Sequence, residues 1–215
     1  GIQYTVIDGP QQSLNMIYPN IDIDKGNIDM KSLYGMKGLK RTMHFNKDTV
    51  KDFSYEKKIL DNFGRLFSSD GDEDSPLRKY SAKIYSIMES VKKSKGIVLI
   101  YSNYVAGGCI PIALALEELG FQRYGGREKS LFETSPKSQS IGNYVMITGD
   151  KRLSPSPKKE LKACTGQNNI NGENVKVIII SRAGSEGLDF KNIRQVHILE
   201  PWFNLNRADQ IIGRG

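Results

Sequence analysis

Hydrophobic patterning divides the chain into a weakly periodic first third and a strongly patterned remainder. From Pro76 onward, Tyr80, Ile84, Ile87, Met88 and Val91 recur at helical spacing and predict an amphipathic helix. Lys92, Lys93 and Lys95 load its C-terminal end, where cations suit the helix dipole, and Gly96 stops it. Ile97-Val98-Leu99-Ile100-Tyr101 is short and wholly apolar, as a strand covered on both faces of a parallel sheet must be. Pro111 to Leu119 predicts a helix, with proline early and Gly120 just after it. Further strands are predicted from Tyr144 to Thr148, Val175 to Ser181 and Ile193 to Leu199, and a helix from Arg207 to Ile212. This alternation predicts an α/β fold, a parallel β-sheet with helices on both faces.

Residues 1–75 are expected to form a less regular, partly helical arm or linker before a domain of residues 76–215. Phe53 to Phe67 predicts a helix with Ile59, Leu60, Phe63 and Phe67 on one side. Tyr18-Pro19-Asn20 and Gly35-Met36-Lys37-Gly38 are turn chemistry.

At 215 residues the chain has room for one substantial domain with an attached arm. Hydrophobic residues make up 38% and charged residues 26%, the mix of an ordinary soluble globular protein. No apolar run approaches the roughly 20 residues of a membrane-spanning helix, so no membrane partner is expected. Gly1-Ile2-Gln3-Tyr4 lacks the basic-then-apolar pattern of a secretory signal, and a chain opening with glycine is expected to be cut from a longer one. Cys109 and Cys164 stand too far apart for a disulfide framework or a zinc site, and two free thiols suit an intracellular home.

The net charge of +7 and a pI of about 9.3 favour a polyanionic partner, nucleic acid above all. The charge is uneven. Lys31 to Lys58 holds eight Lys/Arg against three acids, followed by the acidic run Asp70-Gly71-Asp72-Glu73-Asp74, read as a solvated loop. A second basic stretch, Lys151, Arg152, Lys158 and Lys159, reads either as an electrostatic track or as a solvated surface.

Ligands of parallel α/β sheets sit at the carboxyl ends of the strands. Chemistry is therefore sought at Ser102-Asn103, Thr148-Gly149-Asp150, Ser181 to Asp189, and Glu200-Pro201-Trp202. A phosphate loop G-x-x-x-x-G-K-[ST] is absent; Gly120 to Gly125 comes nearest, but Gly126 stands where lysine belongs. No strand ends in the paired acids that hold Mg²⁺, so the chain alone is not expected to bind ATP·Mg²⁺ tightly, and no metal site is assigned. His197 lies inside a strand with no base or nucleophile partner nearby and reads as structural.

The informative stretch is Ser181-Arg182-Ala183-Gly184-Ser185-Glu186-Gly187-Leu188-Asp189-Phe190. Its glycines allow close backbone approach, and backbone amides there can cradle phosphate oxygens. Asp189 can accept from a ribose hydroxyl or orient the loop; a tight strand-to-helix turn with a capping acid is the plainer reading. Downstream come Pro201-Trp202-Phe203-Asn204 and Gln210-Ile211-Ile212-Gly213-Arg214.

Together, S-x-A-G-x-E-G-x-D, P-W-x-N and Q-x-x-G-R resemble motifs V and VI of superfamily 2 helicases, above all the Snf2-type branch and the helicases of large DNA viruses. Ile97 to Gly108 resembles the viral form of motif IV. The resemblance covers residues 76–215 and implies a second RecA-like lobe, truncated within motif VI. It implies that ATP and Mg²⁺ are bound mainly by a first RecA-like lobe absent from this chain. Arg214 then faces the γ-phosphate, with Gln210 and Gly213 shaping its loop and Gly187 and Asp189 reaching toward the nucleotide. Ser102, Asn103, Thr148, Gly149, Ser181, Ala183 and Gly184 are implied to face the nucleic-acid backbone, DNA by preference and RNA as the alternative. Trp202 is read as a loop anchor rather than a base-stacking platform.

The expected function is thus the C-terminal lobe of an ATP-dependent helicase or translocase. The contrasting reading is a RecA-like adaptor that binds nucleic acid or protein without motor activity. A viral source would put it in host cytoplasm, nucleus or virion.

Overall fold

The computed structural model describes residues 3–6, 15–200 and 205–212. Its regular elements begin with strand β1 (Gln3–Val6), helix α1 (Gly35–Thr42), strands β2 (Met43–Asn46) and β3 (Lys51–Tyr55), and helices α2 (Lys57–Phe63), α3 (Pro76–Tyr80) and α4 (Ala82–Lys93). Strand and helix then alternate through β4 (Ile97–Ser102), α5 (Ile110–Leu119), β5 (Phe121–Arg123), β6 (Gly142–Ile147), α6 (Pro157–Thr165), β7 (Val177–Ser181), β8 (Ile193–Ile198) and α7 (Leu205–Ile212).

Six strands form one sheet in the order β1-β8-β4-β7-β6-β5, and every neighbouring pair is parallel. Successive side chains of a strand point to opposite faces, so a strand apolar at every position needs cover on both. Val98, Ile100, Met146 and Ile179 share one core with α4 and α5. Leu99, Tyr101, Val145 and Ile178 share the other with Ala163 and Cys164 of α6 and Ile211 and Ile212 of α7. The α/β fold with helices on both faces of a parallel sheet is the one the hydrophobic pattern predicts.

The helix predicted from Pro76 is broken at Ser81, so Tyr80 closes α3, while the rest of the predicted spacing falls on α4. Ile84, Ile87, Met88 and Val91 are buried, and the Ser81 hydroxyl caps the first turn by accepting from the Ile84 amide at 3.0 Å. In contrast, α5 is buried almost all round, from Ile110 to Glu118. It lies between the sheet and residues of the arm, among them Leu39, Phe53, Tyr55 and Phe67, which enter the same core. Its two buried acids are hydrogen-bonded: Glu117 accepts from the amides of Leu131 and Phe132, and Glu118 from Tyr55 Oη and Arg65 Nε.

Several segments depart from their sequence patterns; Gly35-Met36-Lys37-Gly38, read as turn chemistry, opens helix α1. Phe53 to Phe67 is not one helix: Phe53 and Tyr55 belong to β3, and only Lys57–Phe63 is helical. The Phe53 amide donates to Leu131 O at 2.9 Å and its carbonyl accepts from Glu133 N, so pairing with a distant segment outweighs local helical spacing. The glycine-rich stretch after α5 holds a short edge strand, β5, followed by a turn in which Gly125 and Gly126 take φ of +105° and +124°.

Candidate functional site

Because the sheet is wholly parallel, the segments after β4, β6, β7 and β8 all emerge at one edge. The loops after β6 and β7 are locked together there. Ser181 Oγ donates to Thr148 O at 2.7 Å and accepts from Gly184 N at 3.2 Å. Thr148 is held in turn by Ser154, whose hydroxyl accepts from the Thr148 amide at 3.0 Å and donates to Met146 O at 2.6 Å. Gly149 has φ +78°, and a β-carbon there would meet Ala183 Cβ at 3.1 Å. The hydroxyls of Ser181 and Thr148 are thus buried inside the loops, while Gly149 and Ala183 are exposed and Gly184 half-buried at their rim.

Ala183–Ser185 makes a single tight turn, and Gly187 follows with φ +71°. The Phe190 amide then donates to Ile211 O at 2.6 Å, with the Phe190 ring fully buried. This bond brings the loop after β7 against α7. Ser185, Glu186, Gly187, Leu188, Gln210 and Ile211 consequently line one cleft of roughly 440 Å³. Asp189 and Gln210 are exposed on these two segments. Gly213 and Arg214, together with Pro201 and Trp202, lie outside the described residues.

The end of β4 has a different construction. Ser102 is buried and Asn103 half-buried. Both donate to Glu200, just past β8: Ser102 Oγ to Oε2 at 2.8 Å and the Asn103 amide to Oε1 at 2.6 Å. Asn15 Nδ2 also donates to Glu200 Oε2, at 2.7 Å. Lys83 Nζ stands beside this group, donating to Asn15 Oδ1 at 3.0 Å and to Leu199 O at 2.8 Å. Burial pushes the Glu200 carboxyl above its usual range, against the pull of these donors. A wide helical turn, Val105–Cys109, follows the loop, and a β-carbon on its Gly108 would sit 2.0 Å from Ser102 Oγ. The sequence marked the segment starting at Glu200 but assigned the residue no role, and Asn15 and Lys83 carried no signal. An acid closing an apolar strand was the one available clue.

In the basic loop after β6, Arg152 is held by Asp150, with Nη2–Oδ2 at 2.8 Å, and donates to Lys47 O at 3.1 Å. The Arg152 hydrogen bond keeps the Asp150 carboxyl below its usual range. The Arg152–Lys47 contact joins the two basic stretches of the chain; Lys151 in the loop stays exposed, as do Lys158 and Lys159, which belong to the first turn of α6 rather than to the loop. His197 is buried, with Nε2 3.1 Å from Gln195 Oε1. Cys109 and Cys164 are buried free thiols. Among the described residues no group of His, Cys, Asp and Glu is placed to hold a metal ion, and no helix is long and apolar enough to cross a membrane.

A family model described as the helicase conserved C-terminal domain matches residues 81–215. The chain is 34% identical over 152 residues to an Acanthamoeba polyphaga mimivirus protein whose name designates an ATP-dependent RNA helicase, covering 69% of this chain and 25% of that protein. It is also 34% identical over 159 residues to the termination factor NPH-I homolog of African swine fever virus, covering 62% and 22%. A protein of invertebrate iridescent virus 3 named as a helicase is 32% identical over 143 residues, covering 65% and 14%. The chain spans no more than a quarter of the length of these relatives.

Proposed function

Because the chain belongs to the family of helicase conserved C-terminal domains, we propose that it is the second, RecA-like lobe of an ATP-dependent nucleic-acid helicase or translocase. The observation that carries this reading is the shared cleft: Gly187 and Leu188, after β7, and Gln210 and Ile211, on α7, line one cavity. These are the two segments that the resemblance assigns to the nucleotide side.

In this reading residues 76–215 are the motor lobe and residues 1–75 the arm that leads into it. Gly187 and Asp189 approach the nucleotide from this side, Gln210 and Gly213 shape the loop, and Arg214 stabilises charge on the transferring γ-phosphoryl group. Phosphate cradling and Mg²⁺ binding belong to a first lobe, so this chain's own residues contribute charge stabilisation and lobe closure. Asn103, Gly149, Ala183 and Gly184 form the rim offered to a nucleic-acid backbone. Ser102, Thr148 and Ser181 support it from beneath. Contacts of this kind carry no sequence information, which suits tracking along a polymer. DNA is the favoured polymer and RNA the alternative, inside an infected cell or a virion.

The test is ATP turnover by the full-length protein with duplex DNA, single-stranded DNA or RNA, beside this chain alone. A full-length protein stimulated by one polymer, with the chain alone inert, supports the motor and names its substrate. Arg214→Ala should then lower turnover roughly a hundredfold or more while ATP still binds. A full-length protein inert with every polymer would replace the motor by the adaptor.

A further inference from the structure

Glu200 is buried at the edge where the strands end, yet it lies outside the nucleotide cleft and outside the segments resembling motifs IV, V and VI. Three groups from two distant parts of the chain donate to it: the Ser102 hydroxyl, the Asn103 amide and the Asn15 side-chain amide. A carboxylate accepts only, so it satisfies all three at once; a side chain carrying its own N–H cannot. Asn15 is pinned on its other sides, since its Oδ1 accepts from Lys83, its Nδ2 also reaches Gly107 O at 3.1 Å, and its backbone carbonyl accepts from Ser81 Oγ at 2.6 Å. The group therefore joins four pieces: the arm at Asn15, α4, the loop after β4, and the chain end of β8 at Glu200.

We infer that Glu200 is a positioning residue that couples the polymer-facing loop at Ser102–Asn103 to the end of β8, from which the chain runs on to α7, whose Gln210 and Ile211 line the nucleotide cleft. This rests on the motor reading. Beyond the β4–β8 ladder, which ends with the Leu199 amide donating to Tyr101 O at 3.0 Å, the loop is tied to the end of β8 by the pair of bonds to Glu200, and α7 begins at Leu205, five residues further on. A push on Asn103 by bound polymer is thereby delivered to the strand end from which α7 departs. Gly108 tightens the loop from behind, because its backbone closes on the Ser102 hydroxyl with no room for a side chain.

The experiment uses the full-length protein and Glu200→Gln, which keeps the size and removes one acceptor. The glutamine amide must face a donor, and the Asn15 amide cannot turn over without losing Lys83. Polymer-stimulated kcat should fall about tenfold while KM for ATP stays within about twofold. Hydrogen exchange at the Asn103 and Tyr104 amides should speed up. Asn15→Asp alone sets two carboxylates together and should also impair stimulation. Combined with Glu200→Gln it restores a donor–acceptor pair and keeps an acceptor for Lys83, so the double variant should regain stimulation that both single variants lack. A loss of stimulated kcat in Glu200→Gln at unchanged KM for ATP and unchanged unfolding midpoint separates coupling from a merely structural contact. Two results overturn the inference: full stimulation in Glu200→Gln, or loss without rescue in the double variant. Should Glu200→Gln fail to fold, Lys83→Met serves in its place; unchanged stimulation there also overturns it. A wild-type protein that no polymer stimulates would defeat the motor reading itself, and this coupling with it.

Discussion

Gly184 lies so close to Ile147 that a β-carbon on it would stand 2.1 Å from the Ile147 carbonyl oxygen. The loop after β7 is therefore seated on the end of β6, and the glycine is required by backbone contact. Three residues on, Gly187 has open space around its α-carbon but a φ of +71°. The same residue type answers two separate demands within one turn.

That difference is measurable. Gly184→Ala must move backbone and should destabilise the fold by about 1–3 kcal/mol. Gly187→Ala meets no atom and should cost only the left-handed conformation, on the order of 1 kcal/mol. Denaturant unfolding of the two variants should rank them in that order. Equal or inverted losses would show that the contact with Ile147 yields easily.

A second prediction concerns Arg123 and Glu160, which join β5 to α6 through Nε–Oε1 at 2.7 Å and Nη2–Oε2 at 3.2 Å. Both are buried, and Arg123 also donates to Met146 O at 3.1 Å. Arg123→Met leaves a buried carboxylate without its cation and should cost about 3–5 kcal/mol. The double variant Arg123→Met with Glu160→Leu should recover much of that loss, because the desolvated charge is gone as well. A double-mutant cycle by chemical denaturation reads the coupling directly; simple additivity would refute it.

A third prediction follows from His197. Burial in β8 lowers its pKa to about 4 from an ordinary 6.5. The unfolded chain therefore binds more protons than the folded one between those two values. In that window the residue makes stability rise with pH, by at most about 1.4 kcal/mol per unit. Below about pH 4 both states are protonated and the penalty is complete; above about 6.5 it is absent. Replacing His197 with glutamine should flatten this part of the profile, seen as a wild-type-minus-variant difference that grows as pH falls from 7 to 4. A constant difference would mean that the buried imidazole accepts its proton without cost.

Several elements were legible before any coordinates. The helical spacing of Ile84, Ile87, Met88 and Val91 marked α4, and the apolar runs marked β4, β6, β7 and β8 within two residues of their ends. Both are local signals: burial on one stripe or on two faces leaves a period in the sequence. The hairpin β2–β3 and the edge strand β5 escaped because no such period marks them. In β3, Phe53 is a strand residue by virtue of its bonds to Leu131 and Glu133, some 80 residues away.

The α/β alternation, the segments that reach the strand ends and the glycines of the loop after β7 are each written in neighbouring residues and need no fold to be read. Tertiary structure alone decided the strand order β1-β8-β4-β7-β6-β5, and with it which of those segments meet. It turned the hydroxyls of Ser102, Thr148 and Ser181 inward, and it brought Asn15 to Glu200 across 185 residues. A hydrogen bond between remote positions leaves no periodicity behind; it exists only once apolar burial on both faces has folded the strands into one sheet.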